Sequence, residues 1–123
     1  MRGLARSQLE PEYLAERRVD SHHEFDLRVP EHLAVWPGHF PGFSIVPGVL
    51  QVDWVLRIAS DRLALAGTPQ RIEVLKFRTP LLPQQRFTLS LDVAADGRVV
   101  EFRMTGPSEV FSTGRFHLDR EPL

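Results

Sequence analysis

Cysteine is absent from the 123 residues. Its absence excludes a disulfide framework, thiolate metal ligation and a cysteine nucleophile, and it fits a reducing compartment. An excess of positive charge is also missing: Lys and Arg number 15 against 16 Asp and Glu, for a formal net charge of −1. The basic residues are scattered, so the chain lacks the electrostatic footprint of a nucleic-acid binder, while a small basic patch for an acidic protein partner stays open. No stretch is long and apolar enough to span a bilayer, and the opening residues MRGLARSQLEPEYLAERR lack the apolar core of a secretory signal. The expectation is a soluble, cytoplasmic protein.

What is present is the composition of one ordinary globular domain, with 42% hydrophobic and 25% charged residues. Residues 1–15 mix charge with Pro11 and have no sustained period, which predicts a loosely held arm ahead of a single domain over 16–123. From Glu16 to Val29 polar residues alternate with Val19, Phe25, Leu27 and Val29, the pattern of a strand with a wet face. Pro30 ends it, and EHLAV reads as a short helical turn. Val49 to Ala66 runs without Gly or Pro and is apolar round most of its circumference, which predicts one long buried helix. Beyond it, Ile72 and Val74 hand over to Leu75 and Phe77 on the opposite parity, which calls for a bulge near Val74. Phe87 to Val93 alternates cleanly, Asp96-Gly97 makes a tight hairpin, and Val100–Met104 and Val110–Leu118 supply further strands. One buried helix with a run of antiparallel strands is an α+β arrangement.

The stretch GHFPGFSIVPGVLQVDW, Gly38 to Trp54, concentrates the chemistry. Pro47 suits the first position of the helix, and Val46 before it has no side-chain acceptor for a cap. The N–H groups of Gly48 and Val49 are then left for water or for a ligand oxygen, and Gly48 lets a ligand approach the backbone closely. Asp53 shares a helix face with Arg57, so it either pairs with Arg57 in a solvated stripe or faces a pocket that would let it donate a proton. His39 has the intrinsic range of a general base near neutral pH, and equally that of an ordinary loop histidine. His22, His23, His32 and His117 show no metal-ligand spacing with the acidic residues, and no metal site is assigned.

That stretch resembles the active-site segment of the β-hydroxyacyl-acyl-carrier-protein dehydratases of fatty-acid synthesis: a His, then Phe-Pro-Gly, a short apolar link, Pro-Gly, and an acidic residue on the following helix. His39, Pro47-Gly48 and Asp53 fall in that register, with His39 fourteen residues before Asp53. EVLKFRTPLLP, Glu73 to Pro83, resembles the family's strand after its central helix. Ser44 stands where a proline is usual, and Asp53 where the general-purpose branch carries Glu. QVDW looks most like dehydratases of secondary pathways such as aryl-polyene synthesis.

The resemblance implies a hotdog fold, a long central helix wrapped by a curved antiparallel sheet. It implies a homodimer in which His39 of one subunit faces Asp53 of the other across an acyl tunnel, lined by Phe40, Phe43, Pro47, Val49, Phe77 and neighbours such as Val55. His39 would remove the α-proton of a β-hydroxyacyl thioester and the Gly48 N–H would polarise its carbonyl. Asp53 would assist departure of the hydroxyl, by donating a proton or by orienting the group that does. No cofactor is called for. The acyl carrier protein that bears the substrate is acidic, so Lys76, Arg78 and Arg86, around KFRTPLLPQQR, are candidates for a basic rim, or else belong to a solvated strand edge. The competing readings are a hotdog thioesterase and a non-catalytic subunit that binds carrier protein or completes a heterodimer.

Overall fold

Segments with a period of two become strands. Phe87, Leu89 and Leu91 are buried while Thr88, Ser90 and Asp92 are not, and Val100, Phe102 and Met104 are buried between exposed Glu101 and Arg103. The computed structural model describes residues 10–31, 45–63 and 68–119. In chain order these form β1 (Glu12–Val19), β2 (His22–Arg28), α1 (Gly48–Arg62), β3 (Thr68–Phe77), β4 (Arg86–Val93), β5 (Val99–Thr105) and β6 (Val110–Asp119). The strands make one antiparallel sheet in the order β1-β2-β4-β5-β6-β3, so β1 and β3 are its edges.

The helix lays a stripe of Leu50, Trp54, Val55, Ile58 and Ala59 against the inward residues of the sheet. Trp54 is stacked on Phe87, with ring centroids 6.1 Å apart and planes 13° from parallel. Each fully buried side chain of this size contributes roughly 1.5–3 kcal/mol relative to exposure. The first edge is tied to the helix at its far end, where the Arg62 guanidinium lies 4.7 Å from the Tyr13 ring centroid and reaches Glu16 at 3.1 Å.

Several expectations are met and several are corrected. The register of β3 on β6 shifts between Glu73 and Lys76, and Val74 there has φ 54°, a left-handed conformation that a β-branched residue rarely adopts. The Asp96-Gly97 hairpin forms, with Gly97 at φ 71° and Asp96 Oδ1 accepting from the Arg98 N–H at 2.9 Å.

The strand expected over 16–29 is instead two, folded back at Asp20-Ser21. Asp20 takes φ 53°, which its short polar side chain tolerates, so the turn needs no glycine or proline to announce it. The same hairpin draws residues 12–15, expected in the arm, into β1, where Glu12 pairs with Arg28 and Tyr13 with Leu27. The helix, expected over Val49–Ala66, runs Gly48–Arg62; EHLAV beyond Glu31 and residues 64–67 lie outside the described residues. Nor is the helix buried all round, because the sheet covers one side of it: Val49 is 74% exposed.

The outer face of β1, β2 and β4 is a ladder of charges. Arg17 donates to Asp26 at 2.8 Å and to Glu24 at 2.9 Å, and Thr88 Oγ1 donates to Asp26 Oδ1 at 3.0 Å. The His22 ring nitrogens donate, in the imidazolium form, to Asp92 Oδ1 at 2.6 Å and Glu24 Oε2 at 2.9 Å. The hydrogen bonds it donates to Glu24 and Asp92 hold the His22 pKa above its ordinary 6.5.

Trp54→Ala is expected to cost about 3–5 kcal/mol in urea denaturation; a cost under about 1 kcal/mol would remove the Trp54–Phe87 stack from the core. Because the folded pKa of His22 is raised, its contribution to stability is full below the unfolded value and is lost as pH rises through the folded one. The stability gap between wild type and His22→Asn should therefore be larger near about pH 5.5 than near about pH 8.5. A gap that does not change with pH would show that His22 makes no charge-dependent contact in solution.

Candidate active site

The start of α1 is a helix end left open. Pro47, with φ −59° and ψ 147°, is the N-cap rather than the first helical residue. Its carbonyl accepts from the N–H groups of Leu50 at 3.0 Å and Gln51 at 3.1 Å. Proline has no side-chain acceptor to offer as a cap, and the first turn holds no acidic residue. The N–H groups of Gly48 and Val49 thus have no acceptor among the described residues. They sit at the positive end of the helix dipole, an arrangement that stabilises oxyanions.

The chain entering the helix is held in place on both sides. The Val46 N–H donates to the Leu81 carbonyl at 2.8 Å, and Gln51 Nε2 donates to the Val46 carbonyl at 3.2 Å. The Oε1 of this buried Gln51 has no partner among the described residues.

Position 48 carries the ring of Phe77, which a side chain there would have to displace. A Cβ there would fall 2.7 Å from Cζ of Phe77, whose ring lies flush against the Gly48 backbone from the end of β3. Phe77 is 48% exposed, and together with Val49 it forms an apolar lip beside the two free N–H groups. Of the tunnel residues expected from the sequence, Pro47, Val49 and Phe77 therefore meet at this helix end.

Asp53 lies five residues on, about 7.5 Å along the helix axis. Its side chain is half-exposed and accepts, through Oδ2, from Arg57 Nε at 2.8 Å. The i, i+4 pairing weighed from the sequence is formed. Arg57 also reaches toward the start of β1, where its Nη1 is 3.8 Å from Glu10 Oε1. His39, Phe40 and Phe43 lie outside the described residues.

The three candidate basic residues do not stay together. Lys76 and Arg78 line a groove of about 480 Å³ over β3, β5 and β6, along with Arg103 and Arg115. Arg86 lines a separate groove with Asp26, Thr88 and Thr105, because two strands intervene between β4 and β3. Arg115 is 3.2 Å from Glu73, whereas Lys76, Arg78 and Arg103 have no ion-pair partner among the described residues. Arg103 escaped the sequence reading. The alternation of β5 puts it on the polar face, but only the register, Arg103 opposite Thr113 and Thr113 opposite Lys76, brings it into this groove.

The profile of the ApeI-like family, described as ApeI dehydratase, matches residues 15–115. The chain is 40% identical over 76 residues to the 3-hydroxyacyl-acyl-carrier-protein dehydratase FabZ of Erythrobacter litoralis, a match that covers 54% of this chain and 50% of that protein. The chain spans about half the length of the curated relatives it matches. Among solved structures, the dehydratase heterocomplex ApeI:P from Xenorhabdus doucetiae superposes with TM-score 0.80 at 28% identity, over 90% of this chain and 99% of that one. Thioesterase superfamily member 2 from Mus musculus is more distant, with TM-score 0.66 and 12% identity over 89% of this chain and 80% of that one, a likeness of fold alone. The helix and six-stranded antiparallel sheet are a hotdog fold.

The contact between Phe77 and Gly48 is testable by a double-mutant cycle. Gly48→Ala is expected to destabilise by about 1–2 kcal/mol, most of it recovered in a Phe77→Ala background. Equal costs in the two backgrounds would show that the ring does not rest on residue 48.

Proposed function

The chain belongs to the ApeI-like dehydratase family, and we propose that it removes water from a (3R)-hydroxyacyl thioester of acyl carrier protein, leaving the trans-2-enoyl thioester. The observation that carries this reading is the uncapped start of α1, with the N–H groups of Gly48 and Val49 free beside the apolar lip of Val49 and Phe77. An enolate oxygen forming at the thioester carbonyl is the kind of charge that two such donors stabilise. His39, in register with Gly48 and Asp53 in the sequence, is the base that takes the α-proton, and Asp53 assists departure of the β-hydroxyl. The acyl chain runs past Phe40, Phe43, Pro47, Val49 and Phe77. All of this chemistry is performed by side chains and backbone, with no cofactor.

The same reading includes a homodimer with His39 of one subunit facing Asp53 of the other. Its support is the edge strand β3, which exposes Val74, Leu75 and Phe77 along a row of backbone groups unpaired among the described residues. A heterodimer with a homologous subunit is the second arrangement, favoured by the likeness to the ApeI:P heterocomplex. Lys76, Arg78 and Arg103, which have no ion-pair partner among the described residues and share a groove with Asp92 and Glu101, offer an acidic carrier protein its docking charge, with Arg86 in a second groove beyond. The pathway is fatty-acid or polyene-type biosynthesis, in the cytoplasm.

Intact mass spectrometry of β-hydroxyacyl carrier proteins before and after incubation tests the reaction. The wild type is expected to remove the mass of one water and His39→Ala to remove none. Loss of the whole acyl group would make the protein a thioesterase, and an unchanged mass across several chain lengths would make it a non-catalytic partner.

A further inference from the structure

We infer that Arg57 is the positioning residue for Asp53, holding that carboxylate as a fixed hydrogen-bond acceptor for the substrate β-hydroxyl. The inference rests on the dehydratase reading above and deepens it. The Arg57 Nε donates to Asp53 Oδ2 at 2.8 Å, which takes one carboxylate oxygen and leaves Oδ1 for a ligand. The same guanidinium has its Nη1 3.8 Å from Glu10 Oε1, so it lies between an acid on α1 and an acid just ahead of β1. Its flank lies along a cleft of about 220 Å³ shared with Pro11, Trp54 and Ile58. Trp54 is buried beneath, so the helix cannot rotate to carry the pair elsewhere. Both charged side chains are about half-exposed in the single chain, and an exposed i, i+4 pair of this kind adds little to stability. What the arrangement supplies is a carboxylate with one oxygen bonded to Arg57 and the other without a partner among the described residues.

With Oδ2 bonded to Arg57, Asp53 has Oδ1 to offer the substrate hydroxyl as an acceptor. In the proposed elimination the Cα–H bond breaks to the base, His39, and its electron pair becomes the Cα–Cβ π bond. The Cβ–O bond breaks with its pair on oxygen, and the protonated base returns the proton to that oxygen, releasing water. Asp53 accepts from the hydroxyl throughout and so keeps the leaving oxygen where the base can reach it. Arg57 touches no reacting atom and acts through Asp53 alone.

The test compares kcat and KM of wild type, Arg57→Ala, Arg57→Lys, Asp53→Asn, Asp53→Ala and His39→Ala on a β-hydroxyacyl carrier protein, with thermal unfolding as the control for folding. Arg57→Ala is expected to lower kcat about 10–100-fold with KM within about threefold, and Arg57→Lys to recover part of the loss. Asp53→Asn keeps an acceptor oxygen and should stay well above Asp53→Ala. Wild-type kcat in Arg57→Ala, beside an inactive His39→Ala, would overturn this inference and leave the dehydratase standing. Asp53→Asn as inactive as Asp53→Ala would also overturn it, in favour of proton donation by Asp53. A wild type that dehydrates no substrate would overturn both.

Discussion

The stack of Trp54 on Phe87 fixes the rotation of α1 about its own axis, and the candidate site depends on that rotation. Successive helical residues are turned by about 100°, so burying Trp54 against β4 sets where its neighbour Asp53 must emerge. With Asp53 at the margin of the buried stripe, Arg57 one turn later stands directly over it. The start of the helix is set in the same way: Leu50, buried one turn before Trp54, leaves Val49 outside and the Gly48 backbone toward Phe77. The core and the site are two faces of one packing decision.

How much of this could be read from the sequence varies with the physics involved. Alternation revealed β4, β5 and the bulge at Val74, because burial on one face imposes a period of two and a slip in it shows as a change of parity. The β1–β2 turn stayed hidden, since β1 is exposed along its whole length and so has no apolar period to interrupt. Val49 was expected inside, but composition alone does not tell on which side of a helix the sheet will lie. The separation of Arg86 from Lys76 and Arg78 depends on strand order, a non-local property that short-range patterns do not encode. The spacing of His39, Gly48 and Asp53 was legible as a motif, and the pairing of Asp53 with Arg57 as a helical interval.

The charge balance, close to neutral, conceals an uneven distribution. Arg17, Arg28, Arg57, Arg62 and Arg115 each face a carboxylate within 3.2 Å, and so cancel locally. Lys76, Arg78 and Arg103 have no ion-pair partner among the described residues, and with Arg115 they outnumber Asp92 and Glu101 in the groove they share. A total of −1 is therefore compatible with a positive spot.

The left-handed turn of Val74 bears on solubility. A straight, apolar, unpaired edge is a template on which further strands can stack without limit, building fibres. At Val74 the row of N–H and C=O groups on β3 is broken and re-aimed midway, so a flat strand cannot pair along the whole edge, and a partner must match the bulge to dock there. The bulge thus favours one matched partner over an open-ended stack of flat strands, at the cost of one strained residue.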